Sequence, residues 1–125
     1  MWPKIFLAVG GLYGLLGVAL GAFGAHGLRD RLEASQLSSW QTAVQYQLIH
    51  AVALIVVGVW LLHTGAVALR YAGGLFVAGV ALFSGSIYLL ILTSATWLGP
   101  VTPLGGAALM AGWLGVIYAG FLAQQ

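Results

Sequence analysis

The groups best able to do chemistry in this chain crowd into one stretch: Gln41, Thr42, Gln45, Tyr46, Gln47 and His50. Thr42, Tyr46 and His50 are spaced i, i+4 and i+8, so a helix would put them on one face, with Gln47 one turn before His50. A neutral imidazole has one donor and one acceptor, and can relay a proton or anchor a polar headgroup. The same spacing also suits a plainer role, a histidine hydrogen-bonded to Tyr46, Gln47 or a serine on a neighbouring helix. Ser84, Ser86 and Tyr88 form a second polar group and supply such partners, although serines within helices commonly bond back to their own carbonyls. His26 stands beside Arg29, Asp30 and Arg31, which suggests an interfacial loop, and His63 suits the C-terminal end of a helix, where a cation meets the helix dipole.

Other chemistries lack their residues. With no cysteine there is no disulfide, thiolate catalysis or sulfur-ligated metal. The only two acids, Asp30 and Glu33, share one short connection, without a metal-ligand or acid–base pattern around them. A bis-histidine haem needs two histidines at one depth, but His50 and His63 would lie about 20 Å apart along a single helix. His26 with His50 would need an offset of about two turns. No metal, cofactor or enzymatic activity is expected. The net charge of +2 rests on four basic and two acidic side chains, with no basic patch interleaved with aromatics, so no nucleic-acid partner is expected.

The elements that must position these groups follow from composition. Of 125 residues 62% are hydrophobic and 5% charged, where a soluble domain carries about 25% charged residues. The solvent is therefore lipid. A membrane helix needs about 20 mostly apolar residues, and four windows qualify: 5–25, 43–63, 71–93 and 104–123. A cleaved leader is the competing reading of the first, but that run is too long for a leader's apolar segment. The polar stretch 26–42 is expected at the interface, and Ser38 and Gln41 form a capping box, so the second helix is expected to begin there, several residues before its apolar span. Trp2, Trp40 and Trp97 are expected at headgroup depth. Thr64-Gly65, Gly99-Pro100 and Pro103 punctuate the other connections. Lys4 and Arg70 fall on one side of the membrane and Arg29 and Arg31 on the other, so the lysine and arginine count leaves the orientation open.

Small residues then set how the spans meet. Gly10, Gly14, Gly17, Gly21 and Gly24 form a stripe of bare backbone along the first span. Similar seams run through Gly74 and Gly85 in the third span, and through Gly105, Gly112 and Gly115 in the fourth. In lipid, such close approach is what drives helix association. The seams can close one monomer, join copies into a homo-oligomer, or both.

Four stretches, Gly21-Ala-Phe-Gly-Ala-His-Gly-Leu28, Trp40-Gln-Thr-Ala-Val-Gln-Tyr-Gln-Leu-Ile-His50, Leu82-Phe-Ser-Gly-Ser-Ile-Tyr88 and Thr102-Pro-Leu-Gly-Gly106, together with Gly112-Trp113, resemble the signatures of the YgdD-like family. The resemblance implies a small four-span protein of the bacterial inner membrane with no assigned activity. Its matched residues are His26, Trp40, Gln45, Tyr46, Gln47, His50, Ser84, Ser86 and Tyr88. The combined expectation is an all-α, four-helix membrane bundle with glycine-rich seams. It would self-associate among membrane lipids and hold a lipid- or quinone-like molecule at Tyr46, Gln47, His50, Ser84, Ser86 and Tyr88, with His26, Trp40 and Gln45 at the interface. The alternatives are a small transporter or channel, and a structural subunit of a larger membrane complex.

Overall fold

The computed structural model describes residues 1–123, and they form four helices: α1 (Trp2–His26), α2 (Ala34–Thr64), α3 (Val67–Thr93) and α4 (Val101–Ala123), with a single 3-10 turn at Thr96–Leu98. All four are long and apolar enough to span a bilayer, as the hydropathy windows predict. Their ends carry recognisable signals. Pro3 lies in the first turn of α1, where a missing N–H costs nothing. At the end of α2, Gly65 takes the left-handed conformation (φ 63°) that closes a helix without a Cβ penalty.

The entry to α2 differs from expectation. The helix begins at Ala34 rather than after Ser38, so the connection shrinks to residues 27–33. Its cap lies five residues earlier than the Ser38/Gln41 pair: Glu33 is the N-cap, and its backbone N–H donates to Gln36 Oε1 at 3.1 Å. Ser38 is already interior, its carbonyl accepting from Thr42 Oγ1 at 3.1 Å. Hydropathy marks where hydrocarbon begins, whereas the helix continues past that boundary because its polar face can be solvated by headgroups.

The central pair is α2 and α3; α1 packs along α2 and also meets α3, and α4 packs along α3. The core joins Phe6, Leu54, Val57, Leu61, Leu69, Phe76, Val80 and Leu109. Large side chains fill positions where the facing helix lacks a Cβ. A Cβ at Gly24 would fall 2.6 Å from Trp40 Cδ1, one at Gly17 2.6 Å from Leu48 Cδ2, and one at Gly112 2.6 Å from Phe76 Cε1. Gly10, Gly21, Gly105 and Gly115 also face close neighbours, as expected of packing glycines. Gly14 is looser, with Ala51 Cβ at 3.9 Å, and Gly74 and Gly85 have nothing within 4 Å. The seam of α3 therefore runs instead through Gly73, under the Phe6 ring, and Gly79, under Leu109, while Gly58 of α2 receives Leu7. A shift from Gly74 to Gly73 is only about 100° around the helix axis. A helix apolar on all sides gives no polar face to decide between them.

Candidate functional site

Two polar clusters tie the helices together, one on each side of the α2–α3 pair. In the first, Gln47 is the centre. Its Nε2 donates to the Tyr13 carbonyl of α1 at 2.9 Å, and its Oε1 accepts from the Tyr88 hydroxyl of α3 at 2.7 Å. The Tyr13 hydroxyl crosses to the Val77 carbonyl of α3 at 2.7 Å. About two turns toward the α1–α2 connection, Trp40 Nε1 donates to the Leu20 carbonyl at 2.9 Å, and its ring stands 4.7 Å from that of Tyr88.

The second cluster contains His50. Trp113 Nε1 of α4 lies 2.9 Å from His50 Nε2, and His50 Nδ1 lies 2.7 Å from the Tyr46 carbonyl. An indole nitrogen can only donate and a carbonyl can only accept. His50 Nε2 is therefore the acceptor and Nδ1 carries the proton, so the pair of contacts selects the neutral Nδ1–H tautomer. Phe76 and Trp113 present edges to the imidazole at ring-centroid distances of 5.3 and 5.7 Å. Ser84 Oγ donates to the Ala43 carbonyl of α2 at 2.7 Å. Ser86 Oγ bonds the Phe83 carbonyl and the Thr102 hydroxyl of α4.

These bonds link α1–α2, α1–α3, α2–α3, α2–α4 and α3–α4. Among the described residues, no buried side-chain nitrogen or oxygen lacks a partner. Each such bond contributes only about 0.6–1.7 kcal/mol in a membrane, but fixes which carbonyl faces which side chain.

The placement of the predicted site residues follows from this bonding. Gln47, His50, Ser84 and Ser86 are buried and Tyr88 half-buried, but they are turned toward one another and toward backbone carbonyls rather than around a common pocket. Tyr46, one turn before His50 on the same face, is partly exposed, with its ring stacked between those of His50 and Phe83 at centroid distances of 6.2 and 4.7 Å and its carbonyl engaged by His50. His26 and Gln45 are exposed. Trp40 is corrected from an interfacial aromatic to a core one: it is 1% exposed, because Gly24 opens the space that its indole fills and the Leu20 carbonyl receives its N–H. Trp2 and Trp97 are exposed.

Tyr13, Thr102 and Trp113 complete the network, and the polar spacing along the sequence does not mark them for that role. Trp113 carried a signal, since a tryptophan mid-span needs a partner for its N–H. Next to His50, but on the outer side of Phe76 and Trp113, α2 and α4 enclose an apolar groove of about 240 Å³ lined by Ile49, Val52, Ala53, Val56, Trp60 and Val116 among others. Among the described residues, no group of three or more histidine, cysteine or acidic side chains is placed to hold a metal.

Fold and network together define a multi-pass, four-helix membrane protein pinned from within by neutral hydrogen bonds. Residues 20–106 match the family described as "Protein of unknown function (DUF423)", and the chain belongs to that family. It is 43% identical over 118 residues to a UPF0382 membrane protein of Staphylococcus haemolyticus, covering 94% of this chain and 96% of the relative. It is 43% identical over 117 residues to the UPF0382 membrane protein YwdK of Bacillus subtilis, covering 93% and 95%. A UPF0382 membrane protein of Staphylococcus aureus is 42% identical over 118 residues, covering 94% and 96%. No solved structure matches the chain. The expectation of a small membrane-protein family without an assigned activity holds at this level. The narrower YgdD-like designation is carried by none of these relatives.

Proposed function

We propose that this chain, which we place with the YgdD-like proteins, is a non-enzymatic protein of the bacterial plasma membrane that acts through its lipid-facing surface and associates with further copies of itself. The observation that carries the reading is the saturation of the buried polar side chains: each described one is bonded within the chain. A catalytic or transport role would need such groups aimed at a substrate or a water path, whereas here they face one another. The amphipathic-ligand reading narrows accordingly to an acyl chain in the apolar groove outside Phe76 and Trp113.

Self-association is supported by bare backbone that nothing in the monomer covers. A Cβ at Gly11 of α1 or Gly85 of α3 would meet no atom within 4 Å, and small residues on an outer face let a second helix approach closely. The chain has no cysteine, so single-cysteine variants report contacts cleanly. Oxidation of membranes carrying Gly11→Cys or Gly85→Cys is expected to give a disulfide-linked dimer at one of these positions, while buried Ala43→Cys gives none. A monodisperse monomer in mild detergent with no cross-link at either glycine would overturn the association. Copurification with a fixed second protein would replace it with a subunit role.

A further inference from the structure

We propose that the groove between Trp2 and the first two turns of α3 binds an anionic phospholipid, with Arg70 on the phosphate and one acyl chain along Gly74 and Leu75. The groove measures about 390 Å³ and is lined by Trp2, Val67, Arg70, Tyr71, Gly74 and Leu75. Its charged group is held in place from the core outward. Phe6 is seated on Gly73 and 1% exposed, the Trp2 ring packs 5.9 Å from Phe6, and the Arg70 guanidinium lies 5.7 Å above Trp2. That cation–π contact keeps the guanidinium at the mouth of the groove, with donors left for an anion.

The charge of this end is unbalanced. Lys4 lies in the first turn of α1 and Arg70 is the fourth residue of α3, and neither helix has an acid in its first turn. Both helices start on the same side of the membrane, so each cation sits at the positive end of its own helix's dipole. Asp30 and Glu33, the only acidic side chains, lie in the α1–α2 connection at the opposite end. An anion is therefore the complementary group, and several features make it a lipid's. Trp2 and the half-exposed rim suit headgroup depth, while Leu75 and the bare Gly74, with nothing within 4 Å, continue the groove toward hydrocarbon. Gly74 is about 6 Å below Arg70, the spacing of a phosphate from the first methylenes of its chain. Tyr71, 70% exposed, places a hydroxyl at the rim.

Native mass spectrometry of the full chain in detergent, supplied with phosphatidylglycerol or phosphatidylcholine of identical acyl chains, tests the assignment. Phosphatidylglycerol is expected to be retained in preference. Arg70→Gln should lower its retention about fivefold, the worth of one cation near an anionic surface, while Arg70→Lys keeps most of it. Gly74→Leu, whose Cβ would meet no atom within 4 Å, should reduce retention of both lipids by filling the groove, and Arg29→Gln at the opposite end should change neither. Equal retention of the two lipids by the wild type, or wild-type behaviour of Arg70→Gln, would overturn the proposal. So would displacement of the lipid by millimolar glycerophosphate, which would make this a site for free phosphate esters.

Discussion

Replacing Gly105 by alanine is expected to lower the stability of the bundle by about 2–3 kcal/mol, within the range for overpacking a close-fitted contact. The added methyl would collide with the backbone of Phe83 and of Leu82. A flexible side chain can swing aside from such a clash; helix backbone cannot, so α3 and α4 must separate. Alanine's better helix propensity, about 1 kcal/mol in water, works in the opposite direction and is outweighed. Separation should also break the Ser86–Thr102 bond, since Thr102 lies one turn from Gly105 on α4. Two controls make the test specific. Gly74→Ala, with open space around it, should stay within about 0.5 kcal/mol of wild type. Ser86→Ala should cost less in the Gly105→Ala background than in the wild type, because its cross-helix partner is already lost. Equilibrium unfolding in mixed micelles reads all of these, and equal stability of Gly105→Ala and Gly74→Ala would contradict the packing described.

Gln47→Leu should cost about 3 kcal/mol. The substitution removes the donor to the Tyr13 carbonyl and the acceptor for the Tyr88 hydroxyl, two membrane hydrogen bonds at about 0.6–1.7 kcal/mol each. It also leaves a hydroxyl with no partner inside the bundle, at about 1–3 kcal/mol. Tyr88→Phe alone should cost about 1 kcal/mol, and adding it to Gln47→Leu should recover part of the loss, because the orphaned hydroxyl disappears. The double-mutant cycle is thus expected to be strongly non-additive. Simple addition of the two losses would show that Gln47 and Tyr88 act independently.

The four spans were legible from hydropathy because lipid imposes a length on any apolar helix that crosses it. The identity of many network members was legible for a related reason: Gln47, His50, Ser84, Ser86 and Tyr88 are costly in hydrocarbon, and a costly group must have a partner. Their partners were less legible, because most are backbone carbonyls, which every residue has. Leu20, Tyr13, Ala43 and Val77 accept bonds through atoms that carry no side-chain identity. Trp40 shows the same limit from the other direction. Its position at the polar end of α2 pointed to the headgroups, and only its pairing with Gly24 across the bundle reveals a core residue. Adjacent glycines such as Gly73 and Gly74, or Gly105 and Gly106, leave helix register open by one residue until the large side chain opposite is known.

The tautomer of His50 tests the central claim most directly, namely that the intramembrane polar groups are struts bonded within the chain. Nitrogen-15 NMR of the histidine-labelled protein in lipid nanodiscs distinguishes the two ring nitrogens, and hydrogen exchange follows the Trp113 indole proton. The network requires a single neutral form with the proton on Nδ1, Nε2 accepting, and a Trp113 N–H protected from exchange. A proton on Nε2, a mixture of tautomers, or a rapidly exchanging Trp113 indole would show that His50 is open to water or ligand and would contradict the account.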